Sequence, residues 1–271
     1  MRVAAIQMNS GSDVPANLEL AGRLLAEAAA DGCTLAALPE NFALMPEHGK
    51  DKAKYAEEPG DGPIQSFLAT TAAQHGLWVV AGSMPLVSPD IGNGRVFGAC
   101  PVYDDQGEQR ALYRKIHLFD VDLVDRGESY RESASMYPGD EVVAVDTPAG
   151  RLGLSICYDL RFPELYRRLV DEGVTLFTVP AAFTVTTGKA HWCTLLRARA
   201  IENLAYVIAP GQYGSHPDNR STYGHSLICD PWGRILAERP QGNEVVAADI
   251  EPGLPTKLRG EFPALSNRRL S

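Results

Sequence analysis

The chain has 271 residues, of which 45% are hydrophobic and 22% charged, an ordinary globular composition with ample material for a core. Its net charge of -9 is scattered and reads as a solubility feature, and it argues against a nucleic-acid partner, which needs clustered Lys and Arg. The segment Met1 to Gln7 turns polar too soon for a signal peptide, and no apolar run approaches the roughly 18 residues of a membrane span. The five cysteines, at 33, 100, 157, 193 and 229, form neither a CxxC pair nor an even set. We therefore expect free thiols in a reducing cytoplasm.

In chain order, short apolar runs alternate with amphipathic helices. Val3 to Met8 is a predicted strand, and Pro15 to Ala30 a helix with Leu18, Leu24, Leu25 and Ala28 on one face and Gly32 as its stop. Leu35 to Leu38 is a strand ending at Pro39-Glu40. A helix over Pro63 to Gln74 closes at Gly76, and Leu77 to Ala81 is a strand. Val96 to Tyr103 and Glu108 to Arg114 flank an Asp104-Asp105-Gln106-Gly107 turn and form a hairpin. Past a long loop, about 116–140, strands are expected at Val142 to Val145, Leu152 to Ile156, Leu176 to Val179, Tyr206 to Ala209, Leu227 to Cys229, Ile235 to Ala237 and Val245 to Ile250. Helices are expected at Pro163 to Val170 and His191 to Leu204. Several strands are apolar at successive positions, so both their faces are buried. Two sheets packed together and covered outside by helices satisfy those faces. No Ser/Gly-rich linker divides the chain, which we read as one domain over 1–271. The loops near 88–95 and 116–140 are too long for simple connectors and are expected to build a site.

Cys157 ends the apolar run Leu152 to Ile156, and Pro163-Glu164 then starts a helix. A sharp strand-to-helix turn presents a nucleophile well, and a nearby helix N-terminus is expected to lower the thiol pKa. The alternative is a small buried hydrophobe, which we assign to Cys33, Cys100, Cys193 and Cys229. Glu40 follows a buried strand, where desolvation is expected to raise its pKa toward general-base range; a loop carboxylate or helix cap is the competing reading. Lys115 ends the Ala111 to Arg114 strand, as an oxyanion clamp or a solvated strand-end lysine. The six histidines show neither HxH nor HExxH, so no metal is expected. Gly92-Asn93-Gly94-Arg95-Val96-Phe97-Gly98 misses the dinucleotide fingerprint by one residue, and Gly188-Lys189-Ala190 lacks the rest of a phosphate loop.

Three stretches, Leu38-Pro39-Glu40-Asn41, Tyr113-Arg114-Lys115-Ile116-His117-Leu118 and Ile156-Cys157-Tyr158-Asp159-Leu160-Arg161-Phe162-Pro163-Glu164, resemble the signatures of the nitrilase superfamily of carbon–nitrogen hydrolases. They stand in that family's order and spacing, and the similarity runs nearly end to end. The resemblance implies a four-layer αββα sandwich, usually dimerised through sheet-covering helices into a homodimer or higher homo-oligomer. It implies Cys157 as nucleophile, Glu40 as general base and Lys115 as oxyanion stabiliser, with the Tyr158 amide as second donor and Glu132 as a supporting glutamate. No metal or organic cofactor is implied, and the partner is a small-molecule amide.

Within the superfamily, the stretches Thr186 to Trp192, Leu195 to Glu202 and Tyr223-Gly224-His225-Ser226 are similar to the branch of deaminated-glutathione amidases and ω-amidases, closer to the former. The substrate alternatives are α-ketoglutaramate, as for an ω-amidase, and an N-carbamoyl or other small amide. Arg161 is the candidate for a keto-acid carboxylate, against a structural ion pair with Glu164. Thr187 and Lys189 are expected at the substrate mouth, and Lys189 departs from the proline usual in this branch. The rival in another class is an inactive binding protein on the same scaffold, against which the intact Glu, Lys and Cys speak. A Cys-His protease would require a histidine where Glu40 stands.

Overall fold

Alternating small and branched apolar residues with no polar interruption make strands that need cover on both faces. The computed structural model describes residues 1–123, 128–217 and 220–270. An eight-stranded sheet carries the order Glu244–Asp249, Arg2–Gln7, Cys33–Ala37, Trp78–Val80, Val96–Tyr103, Met84–Val87, and Gln109–Arg114 and Met136–Tyr137 also pair with Val96–Tyr103. A six-stranded sheet has the order Ala144–Thr147, Gly150–Leu154, Leu176–Thr178, Tyr206–Ala209, Ser226–Cys229, Ile235–Arg239. Neighbouring strands from Arg2 to Val80, and again from Gly150 to Ala209, run parallel, as crossovers through helices require.

The period-2 alternation of a strand divides the core into layers. Val3, Ala5, Leu35 and Ala37 join Leu152, Leu154, Val207 and Ile228 in one cluster between the sheets. Their neighbours Ala4, Ile6, Ala36 and Leu38 turn the other way, onto Ala21, Leu24, Leu25, Leu68 and Ala72. Those last residues lie on helices α1 (Val14–Ala30) and α2 (Pro63–His75). Asp13 caps α1 by accepting the Ala16 amide, and Gly76, in the left-handed conformation at φ 59°, ends α2. Helices α3 (Pro163–Asp171) and α4 (Val185–Asn203) bring Leu165, Leu169, Trp192 and Leu196 to the second sheet. The short α5 (Leu254–Glu261) follows the last strand. The result is the helix–sheet–sheet–helix sandwich expected from the strand pattern. Among the described residues, no helix is long and apolar enough to cross a membrane.

Three expectations need correction. The helix expected from His191 starts at Val185, because Thr184 caps it by accepting the Thr187 amide; β-branched Val185, Thr186 and Thr187 and Gly188 are poor helix formers, and the cap overrides them. The 116–140 segment is no plain loop. It carries paired strands Asp120–Leu123 and Glu128–Arg131 and a 3₁₀ turn Glu132–Ala134, while residues 124–127 lie outside the described part. The 88–95 segment, a short 3₁₀ turn at Ile91–Asn93, does not line the cavity that forms at the strand ends.

Candidate active site

Three strand ends converge at one cavity of about 480 Å³. Glu40 leaves the Cys33–Ala37 strand through Leu38-Pro39, which passes tightly over Gly82. Gly82 has φ +66°, and a Cβ there would run into the Pro39 and Leu38 carbonyl oxygens, so only glycine lets the two segments approach. Asn41, at φ 58°, then turns the chain away and donates its amide to Ser83 Oγ at 2.9 Å. Lys115 is pinned past the Gln109–Arg114 strand by its amide on the Gly98 carbonyl (2.9 Å) and its carbonyl under the Gly139 amide (2.8 Å). Cys157 itself adopts φ 50°, and its amide donates to the Pro180 carbonyl at 2.8 Å. A left-handed non-glycine residue is strained and persists only where its surroundings hold it. This supports the elbow reading over the small-hydrophobe alternative.

The side chains meet in a continuous network. Lys115 Nζ donates to Glu40 Oε1 at 2.7 Å and to both Glu132 oxygens at 2.9 Å, and its side chain is 2% exposed. Glu40 Oε2 accepts the Ala182 amide at 2.8 Å, and the Cys157 thiol lies near enough to the same carboxylate to feel its charge. Glu132 is oriented by the Phe119 amide at 2.6 Å. Two electrostatic expectations are corrected. Burial is the largest influence on Glu40 and opposes its ionisation, but the adjacent Lys115 ammonium outweighs it and the carboxyl is lowered, not raised. The Cys157 thiol is raised well above its ordinary value, first by burial and then by the Glu40 carboxylate, with Lys115 pulling back only in part. The chain continues from Cys157 into a short 3₁₀ turn, Cys157–Arg161, rather than a long helix. At rest the site therefore holds a neutral thiol against an ionised carboxylate, the arrangement of a nucleophile with its base.

Asp159, which sequence reasoning passed over, ties two of these strand ends together. It is fully buried and accepts from Tyr113 Oη (2.7 Å), the His117 amide (3.0 Å) and the Ile156 amide (2.8 Å), and its Oδ1 lies 2.7 Å from His117 Nδ1. Its signal was an acidic residue inside an otherwise apolar turn. Tyr158 lines the cavity with its ring between Phe119 and Phe162, and its amide opens a 3₁₀ turn, where the first N–H groups lack partners within the turn. Arg161 lines it too, 3.2 Å from His191 Nδ1 and over the Phe183 ring; among the described residues no carboxylate pairs with it, so the Glu164 alternative is not formed. Thr187 lines the cavity, its hydroxyl 2.9 Å from that of Thr184. Lys189 is not brought in. It sits on the exposed side of α4 because the helix starts earlier than expected and its turn carries Lys189 outward.

The cavity also collects residues with no local sequence signal: Lys52, from a 3₁₀ turn over Gly49–Tyr55, and Arg131 and Arg220. With Lys115 and Arg161 they place cations around two carboxylates, Glu40 and Glu132, among the described residues, in a chain whose net charge is -9. Such a local excess attracts anions. No cluster of His, Cys, Asp and Glu suited to a metal ion occurs among the described residues.

Comparison with known proteins shows the family of the chain. The family model described as Carbon-nitrogen hydrolase matches residues 2–259. The chain is 40% identical to a deaminated glutathione amidase of Yersinia enterocolitica, covering 98% of this chain and 92% of that one. It is 41% identical to a deaminated glutathione amidase of Synechocystis, covering 98% and 97%. Among solved structures, the NitFhit protein of Caenorhabditis elegans superposes with a TM-score of 0.91 at 37% identity over 99% of this chain, which spans 65% of that longer protein. Nit3 of Saccharomyces cerevisiae, a nitrilase-superfamily member, gives a TM-score of 0.88 at 29% identity, covering 100% and 97%.

Proposed function

The chain belongs to the carbon–nitrogen hydrolase family, and on that premise we propose that it cleaves the amide of deaminated glutathione through a thioester on Cys157. The observation that carries this reading is the buried contact of the left-handed Cys157 with Glu40, which also holds Lys115. Glu40 takes the thiol proton as sulfur attacks the amide carbonyl carbon. Lys115 Nζ and the Tyr158 amide hold the negative oxygen of the tetrahedral intermediate. Collapse breaks the C–N bond, and the proton on Glu40 passes to the departing amine. In the second half Glu40 deprotonates a water that attacks the thioester, and collapse returns the acid and the Cys157 thiol. Glu132 keeps Lys115 charged and aimed.

Deaminated glutathione is glutathione whose α-amino group has become a ketone, so it carries a carboxylate at each end. The cation excess of the cavity suits it, with Arg161 at the keto-acid end. The reading takes residues 1–271 as one hydrolase domain, supported by the family match over 2–259 and the core shared between the sheets. It places the enzyme in a reducing, cytoplasmic compartment as a homodimer or higher oligomer. The deciding experiment compares kcat/KM for deaminated glutathione and α-ketoglutaramate. We expect the first to exceed the second by at least about tenfold, on the order of 1.4 kcal/mol of transition-state binding. A preference for α-ketoglutaramate makes the chain an ω-amidase, and turnover of neither removes this substrate reading.

A further inference from the structure

Lys52 is a cation with little to do inside the folded chain. Its Nζ donates to Asn41 Oδ1 at 2.8 Å, and among the described residues it has no ion pair. An ammonium carries three donors, so one bond leaves most of its capacity unused at the wall of the reaction cavity. The other cations there differ. Lys115 is held between Glu40 and Glu132, Arg131 is paired with Asp122, and Arg161 rests on rings beside His191. A partly buried cation whose nearest carboxylates are already engaged by another cation, as Glu40 and Glu132 are by Lys115, gains free energy from an anion in direct contact.

We propose that Lys52 is a specificity-determining residue that receives a carboxylate of the amide substrate, giving the cavity a second anion seat besides Arg161. Asn41, which follows Glu40 in the chain, holds the ammonium, so a carboxylate received there is positioned relative to the base. The inference rests on the amide-hydrolase reading of the same cavity. The turn that carries Lys52 packs against the Met84–Val87 strand, which brings no charge, and the Glu132–Ala134 turn, which brings Glu132. Burial pushes the ammonium down, Glu132 and Glu40 hold it up, and Arg220 and Lys115 press it down, leaving it at about 8. Lys52 is thus charged at neutral pH and loses its charge as pH rises through about 8. KM for an anionic amide should rise over that interval more steeply than KM for a neutral one.

The test uses the whole enzyme and glutarate, a dicarboxylate that cannot be turned over. Glutarate should protect Cys157 from alkylation by neutral iodoacetamide in the wild type. In Lys52→Met the half-protecting concentration should rise at least about tenfold, and Lys52→Arg should recover most of that loss because it restores the charge. In parallel, the kcat/KM ratio of deaminated glutathione, with two carboxylates, to α-ketoglutaramate, with one, should fall at least about tenfold in Lys52→Met. Failure of glutarate to protect the wild type, or equal half-protecting concentrations in wild type and Lys52→Met, overturns the inference. Should Lys52→Met not fold, Lys52→Gln carries the same test. If the wild type cleaves no amide, the functional reading fails while the protection assay still decides the role of Lys52.

Discussion

Each reactive side chain of the site is defined by what lies against it. Because Lys115 lowers the Glu40 carboxyl against the effect of burial, the base form is present above the ordinary carboxylate range, near pH 4.3, and is lost only as pH falls below it. A profile of kcat/KM on a neutral amide should therefore lack an ascending limb between about pH 5 and 7; such a limb would mean a carboxyl raised by burial, as the sequence alone suggested. Lys115→Ala should cost roughly 10²–10³ in kcat, the typical loss for an oxyanion donor, and Glu40→Gln should lose the base for both half-reactions. Near wild-type kcat in Glu40→Gln would require another base. Lys189→Ala, at an exposed position outside the cavity, should leave the ratio of kcat/KM for the two keto-acid substrates within about twofold of wild type, where a site residue would shift it by 1–3 kcal/mol.

At the scale of elements, geometry comes from tight crossings between segments. Gly82→Ala forces a Cβ into the Pro39 carbonyl at a left-handed φ. It should destabilise by more than the 1–2 kcal/mol usual for that conformation and lower the melting temperature by several degrees, with kcat falling as Glu40 moves. Asp159→Ala removes the acceptor of Tyr113, His117 and Ile156 and leaves the proton of the buried Tyr113 hydroxyl without its acceptor, a loss of roughly 1–3 kcal/mol readable by calorimetry. The strands and the helices α1 to α3 were legible because apolar runs, caps and glycine stops lie next to one another in the chain. So were Glu40, Lys115 and Cys157, each at the end of such a run. Lys52 was not, because the Gly49–Tyr55 turn has no apolar period and meets the cavity only through tertiary packing. The start of α4 was hidden by β-branched residues whose propensity the Thr184 cap overrides. The pKa direction of Glu40 was misjudged because it depends on Lys115, far away in sequence, and that of Cys157 because burial, with the distant Glu40 adding to it, raises the thiol.

For the whole molecule, the two sheets share one core while the outer helices leave apolar surface uncovered. Ile201, Trp232 and Phe262 are 48%, 61% and 53% exposed, and the Trp232 and Phe262 rings meet edge-on at 5.9 Å. Exposed apolar clusters mark association surfaces, so Trp232→Asp should shift the protein toward monomer in light scattering. A wild type that is monomeric at all concentrations contradicts that expectation. The catalytic account depends on one atom, the Cys157 sulfur, among five cysteines. The most direct test titrates the enzyme with limiting iodoacetamide, mapping each labelled cysteine by mass spectrometry and measuring amide turnover on the same samples. The account predicts that Cys157 is modified first and that activity falls in a straight line to zero at one label per chain on that residue; full activity after complete alkylation of Cys157 would contradict it.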